Sequence, residues 1–256
     1  MSLGVSGRAR TAGGVDHRDQ ARHAARVTSA TDARDRAFVR AHTTLRRTPL
    51  LPEVALWLAD EVVPLWEATE RELGGNDTDP PFWAFAWAGG QAVARYVLDH
   101  PAAVAGRTVL DLASGGGVCA IAAALAGAGR VEAADIGPFA GAATVLNAES
   151  NGVRVAVTGR DLLRDPPPAV DVVLAGDVCY ERRMAARMLD WLATAHRQGS
   201  RVLLGDPGRA YLPGDGLVRL GVYDVTTLTD LESSTVRRTG VFGLTPWPDA
   251  VAASPS

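Results

Sequence analysis

From residue 108 onward the chain alternates short apolar runs with amphipathic stretches. Thr108–Leu112, Arg130–Ala134, Arg154–Thr158, Val170–Ala175 and Arg201–Gly205 read as strands. Apolar residues recur at helical spacing in the gaps, at about 117–127, 138–150 and 181–198. Such alternation predicts a mostly parallel sheet with right-handed crossovers. Beyond residue 205 the pattern changes. Gly221–Leu228 and Val236–Leu244 are β-rich with little room for a helix between them, which predicts an antiparallel pair at the sheet edge.

Upstream, the apolar residues from Phe38 to Trp66, interrupted by Pro52 and Pro64, predict helical or irregular packing that caps the core. Residues 74–81 form a turn-rich loop, and Phe82–Gly90 leads into a helix over Gln91–Leu98 ended by His100-Pro101. Residues 1–35 are rich in Arg, Ala, Ser, Thr, Gly and Asp and poor in large apolar side chains, so they are expected to be a disordered extension. One domain over 36–246 follows, divided into an N-terminal helical cap (36–100) and a core (101–246), with a disordered tail over 247–256.

Composition narrows the class. A length of 256 residues with 47% hydrophobic and 21% charged content suits one sizeable α/β domain. No apolar run is long enough to cross a membrane, and no apolar leader is visible, so a soluble, cytoplasmic protein is expected. Cys119 and Cys179 stand in apolar contexts, which suits a reducing compartment, and the scattered histidines offer no metal spacing. The chain contains no lysine, and its Ala, Gly and Arg content points to a high-GC bacterial genome. Residues 1–50 hold ten Arg against four Asp, whereas 51–256 hold 16 Arg against 25 acids. An acidic body favours a cationic substrate over nucleic acid.

The chemistry concentrates at the strand ends. Val109–Leu112 runs into Ala113-Ser114-Gly115-Gly116-Gly117 and then into an apolar helix. Glycines there let the backbone approach a ligand, and the N–H groups opening the helix favour its polar parts. Asp111, Asp135, Asp161, Asp177 and Asp206 follow or end the five strands. In a doubly wound sheet these positions face the ligand crevice. Asp135, 24 residues after Asp111, can accept both hydroxyls of a ribose. Gly115–Ala120 also satisfies a dinucleotide pattern, so the glycines alone do not choose a cofactor. Asp111 would repel a pyrophosphate and suits a cationic group.

Asp111–Gly117 resembles the first motif of the class I, seven-stranded methyltransferases, with Ala113 in place of the first glycine. The terminal antiparallel pair agrees with that Rossmann-like fold. The resemblance implies S-adenosylmethionine as cofactor, with Asp135 on the ribose and Asp161 beside the adenine amino group. Ala113, Ser114, Gly115 and Gly117 would line it, with Ile136 and Leu162 beside the two acids. Asp177-Val178-Cys179-Tyr180 resembles the Asp-x-x-Tyr signature of seven-stranded protein-lysine methyltransferases. Pro81–Ala92, Gly176–Tyr180, Gly205–Arg209 and Leu231–Thr235 together resemble the electron-transfer flavoprotein β-subunit lysine methyltransferases. This implies that β-subunit as protein partner, with Trp87 and Gln91 near the cofactor.

As an expectation for catalysis, Asp177 reaches cofactor and acceptor and orients the lysine ammonium, and Tyr180 offers it a cation–π face. Read from the residues alone, a small-molecule amine methyltransferase, a dinucleotide oxidoreductase and a non-catalytic cofactor-binding module stay open. Trp83 and Trp87 suit core packing as well as a site, Cys179 a buried hydrophobe, Arg209 a turn cap and Glu181 a first-turn helix acid.

Overall fold

A computed structural model describes residues 33–75, 78–226 and 236–245. Helix α1 covers 33–42 and leads into an antiparallel hairpin, β1 (Thr44–Thr48) and β2 (Leu51–Leu58), followed by α2 (Val62–Leu73). The expected helical cap therefore contains a two-stranded sheet. Its signal is the alternation of Val54, Leu56 and Leu58, all buried in the main core. The far edge of β2 is satisfied by side chains of a distant helix, α5 (Ala140–Ser150), and of its C-cap. Asn147 accepts from the Trp57 N–H at 2.6 Å, while Asn151 accepts from Ala55 N at 2.9 Å and donates to Ala55 O at 2.6 Å. Residues 33–35 of the expected extension are helical. Its remainder and the tail beyond 246 lie outside the described residues, as does Leu231–Thr235.

The main sheet holds β3 (Thr108–Leu112), β4 (Arg130–Ala134), β5 (Ala156–Thr158), β6 (Val172–Gly176), β7 (Arg201–Asp206), β8 (Leu217–Thr226) and β9 (Val236–Leu244). Their order is β5-β4-β3-β6-β7-β9-β8, parallel from β5 through β7, with β9 antiparallel to both its neighbours. The expected α/β sheet with an antiparallel terminal pair is what the chain forms. Helices α3 (Ala88–Asp99), α4 (Val118–Leu125) and α6 (Arg182–Arg197) complete the core, α3 and α4 in one apolar cluster and α6 in a second.

One close approach fixes the floor of the site. The first turn of α3 presses onto the ends of β6 and β7, where a Cβ on Gly205 would lie 2.1 Å from Gly89 O and one on Gly176 would lie 2.6 Å from Gly90 N. Only glycine fits there. Helix α3 also starts earlier than the periodicity predicts, because Asp177 supplies a cap from 88 residues away: its Oδ2 accepts from Gly89 N and Gly90 N.

Candidate active site

The strand ends of the parallel sheet open into a cleft of about 470 Å³, a volume typical of small-molecule sites. One end is built by the turn after β3. Ala113 stands at φ +54°, a left-handed conformation that costs an L-residue about 1–2 kcal/mol. The turn is tied down by Ser114 N donating to Ala134 O at 3.1 Å and Gly117 N to Ser114 O at 2.8 Å. Asp135 bridges two backbones, accepting from Gly115 N and Gly137 N, each at 2.7 Å. Asp111 lies buried beneath the turn and accepts from Ala120 N at 2.9 Å. With little besides that bond to offset burial, its carboxyl is pushed up to about 7. Asp161 accepts from Leu163 N and pairs with Arg164 at 3.1 Å. Ile136, two-thirds exposed, presents an apolar face at the rim.

The other end holds Asp177, Arg209 and a group of rings. Asp177 is buried at φ +57°, a conformation Asp tolerates better than most residues. Its Oδ1 accepts from Arg209 Nε at 3.0 Å and Nη2 at 2.7 Å, and its Oδ2 takes the two α3 donors. Burial raises this carboxyl to about 6 although the guanidinium opposes the rise. Arg209 Cζ lies 5.9 Å from the centroid of the Trp87 ring. Phe82 stands between Trp87 and Tyr180, with centroid distances of 5.8 and 5.6 Å. Tyr180 is 43% exposed and lines the cleft, its hydroxyl 3.8 Å from Met184 Sδ.

Comparison with known proteins places this geometry. A family model described as ribosomal protein L11 methyltransferase matches residues 96–178. An electron transfer flavoprotein beta subunit lysine methyltransferase of Mus musculus is 34% identical over 224 residues, covering 86% of each chain. Its namesake of Homo sapiens is 36% identical over 219 residues, covering 84% of this chain and 82% of its own. The chain belongs to the electron transfer flavoprotein beta subunit lysine methyltransferase family. A solved structure titled as a putative RNA methyltransferase from Pyrococcus horikoshii shares the fold at a TM-score of 0.50 and 14% identity, over 72% of this chain and 98% of its own. The relatives that cover most of the chain include mouse, human and frog proteins, so the bacterial source expected from composition draws no support from them.

The cofactor of this methyltransferase class is S-adenosylmethionine, and the cleft fits it. Asp111 and Asp135 line it as carboxylates, the kind of acceptor that a cationic group and ribose hydroxyls call for, and Trp83 Nε1 in the cleft wall is buried without a hydrogen-bond partner. A Cβ at Gly116 would lie 2.7 Å from Trp83 O, so the turn and the Phe82–Ala84 segment meet backbone to backbone.

Most residues expected at the methyltransferase site line the cleft: Trp87, Asp111, Ala113–Gly115, Asp135, Ile136, Asp161, Leu162, Asp177 and Tyr180. Gln91 does not. It is buried below the floor, donating from Nε2 to Ala86 O at 2.6 Å. Gly117 also lies outside the lining, because its left-handed backbone caps α4 against Thr144. Asp206 turns inward to accept from Gly208 N and Arg209 N at 2.7 and 2.6 Å. Glu181 is the N-cap of α6, accepting from Arg183 N and Met184 N. Cys179 is buried and its thiol is pushed up to about 12, which removes it as a nucleophile.

Four N–H donors surround Asp177, which the sequence alone does not show. A carboxylate offers about four acceptor positions, and here four N–H groups fill them. A lysine ammonium would have to compete with these donors for it. Met184, Arg187 and Arg237 also line the cleft although no sequence motif pointed to them, and Phe82 does so from within the Pro81–Ala92 segment. Arg209 was marked by its Gly-Asp-Pro-Gly-Arg segment, but its partner could not be read locally.

Proposed function

We propose that this protein transfers methyl groups from S-adenosylmethionine to lysine side chains of the electron transfer flavoprotein beta subunit. The observation that carries the reading is the extent of the likeness. It spans 224 residues with the mouse relative, well beyond the stretch 96–178 shared with the L11 methyltransferase model, and so includes the acceptor end of the cleft.

When bound, S-adenosylmethionine supplies an electrophilic methyl group on a sulfonium. The turn after β3 and Asp111 would hold its amino-acid end, and Asp135 and Ile136 its nucleoside. That chemistry requires an acceptor nitrogen with a free lone pair. Proximity of two oriented reactants supplies about 7–11 kcal/mol of the barrier, so the side chains act chiefly by positioning. Tyr180 and Phe82 guide the alkyl stem, and the amine has lost its proton to water before attack. Two buried thiols, Cys119 and Cys179, suit a reducing compartment such as the cytoplasm. Among the described residues no helix is long and apolar enough to cross a membrane.

Radiolabelled S-adenosylmethionine added to a cell extract with wild-type protein labels one band of beta-subunit size, and the Asp111→Ala variant leaves it unlabelled. Label in small amines and in no protein would overturn the reading.

A further inference from the structure

The acceptor end of the cleft presents a paired charge where a free carboxylate would be the simplest ammonium site. Arg209 is held there from three sides. Its backbone N–H is fixed by Asp206 Oδ1 at 2.6 Å, its guanidinium meets Asp177 Oδ1 through two bonds, and its Cζ lies 5.9 Å from the Trp87 ring centroid. Arg209 and Asp177 are 22% and 8% exposed in their side chains, so solvent does not loosen the pair. The remaining two acceptor positions of Asp177 are closed by the α3 backbone, and Gly89, Gly176 and Gly205 prevent that helix from standing further off.

We propose that Arg209 is a positioning residue that masks Asp177, so that the acceptor lysine is received as a neutral amine by Tyr180, Phe82 and Trp87. An unmasked carboxylate would bind the ammonium and stabilise the form that has no lone pair to attack with. The closed pair attracts no cation, and the guanidinium beside the acceptor disfavours a second positive charge. The other titratable groups around Asp177 do not replace this effect. Asp206 adds negative charge from the end of β7 but spends one oxygen on the loop backbone, and the Cys119 and Cys179 thiols stay protonated. This inference rests on the lysine acceptor proposed above.

The probe is n-butylammonium chloride, titrated by calorimetry at pH 7 into protein saturated with S-adenosylhomocysteine. Arg209→Gln unmasks the carboxylate, and its affinity for the ammonium rises at least tenfold over wild type. Asp177→Asn combined with Arg209→Gln abolishes the gain. In methyl transfer to the beta subunit, Arg209→Gln lowers kcat at pH 7 about tenfold without raising KM, and its kcat–pH profile moves to higher pH. Equal ammonium affinity in wild type and Arg209→Gln overturns the proposal, as does a loss of thermal stability with no gain in ammonium affinity. If Arg209→Gln does not fold, Arg209→Met is titrated in its place with the same expected gain. Wild-type protein that leaves beta-subunit lysines unmethylated overturns the proposed function instead, while the ammonium titration still decides the role of Arg209.

Discussion

Arg209 places both Nε and Nη2 on one oxygen of Asp177, at 3.0 and 2.7 Å, across 32 residues of sequence. The other oxygen caps α3. One carboxylate therefore joins the end of β6, the loop after β7 and the first turn of α3. Removing it with Asp177→Ala leaves Arg209 without this partner and the helix uncapped, and unfolding in urea should show a loss of about 3 kcal/mol or more. Asp177→Asn keeps an oxygen for the cap and tolerates the left-handed backbone but turns an NH2 toward the Arg209 guanidinium, so its loss should be smaller than that of Asp177→Ala yet still about 2 kcal/mol or more.

The same loop geometry makes Gly205 intolerant of a side chain. A Cβ there would lie 2.1 Å from Gly89 O, whereas one at Gly214 meets nothing within 4 Å. Gly205→Ala should cost about 3 kcal/mol or more and weaken cofactor binding, and Gly214→Ala should leave the midpoint of unfolding within about 0.5 kcal/mol of wild type.

Ala113 occupies the left-handed region at φ +54°, where glycine is free of strain. Ala113→Gly should stabilise the protein by about 1 kcal/mol and raise Tm by roughly 2–4 °C, read by differential scanning calorimetry.

Asp111 links stability and cofactor binding to pH in opposite directions. Burial raises its folded-state carboxyl to about 7, from the ordinary aspartate value near 3.8. A raised acid contributes stability that is complete below the unfolded value and is lost as pH rises through the folded one. Unliganded protein should lose stability between about pH 4 and 7, on the order of a few kcal/mol, and Asp111→Asn should reduce that slope, leaving the part that the raised Asp177 carboxyl contributes. A cationic ligand group favours the ionised carboxyl. Affinity for S-adenosylmethionine should rise with pH up to about 7 and then level off, with proton release on binding below that pH. Calorimetry in two buffers of different ionisation enthalpy measures both effects.

The core strands were legible because each carries its own signal. Thr108–Leu112 and Arg130–Ala134 are found at the expected bounds, with Asp111 inside the first strand and Asp135 in the turn after the second. The hairpin β1–β2 shows in the sequence only as the alternation of Val54, Leu56 and Leu58, because the free edge of β2 is completed by Asn147 and Asn151, some 90 residues later. The start of α3 was hidden for the same reason: Gly89 and Gly90 read as loop until Asp177 is known to cap them. Gln91 shares the helix that bears on the cleft but points below its floor, which depends on where α3 docks. Arg209 sits in a recognisable turn, yet only the fold brings it to Asp177.

The most direct measurement is peptide mass spectrometry of purified electron transfer flavoprotein beta subunit after incubation with this protein and S-adenosylmethionine. The account predicts methyl additions confined to lysine and absent with Asp111→Ala. A beta subunit left unmodified by protein that binds the cofactor would contradict it.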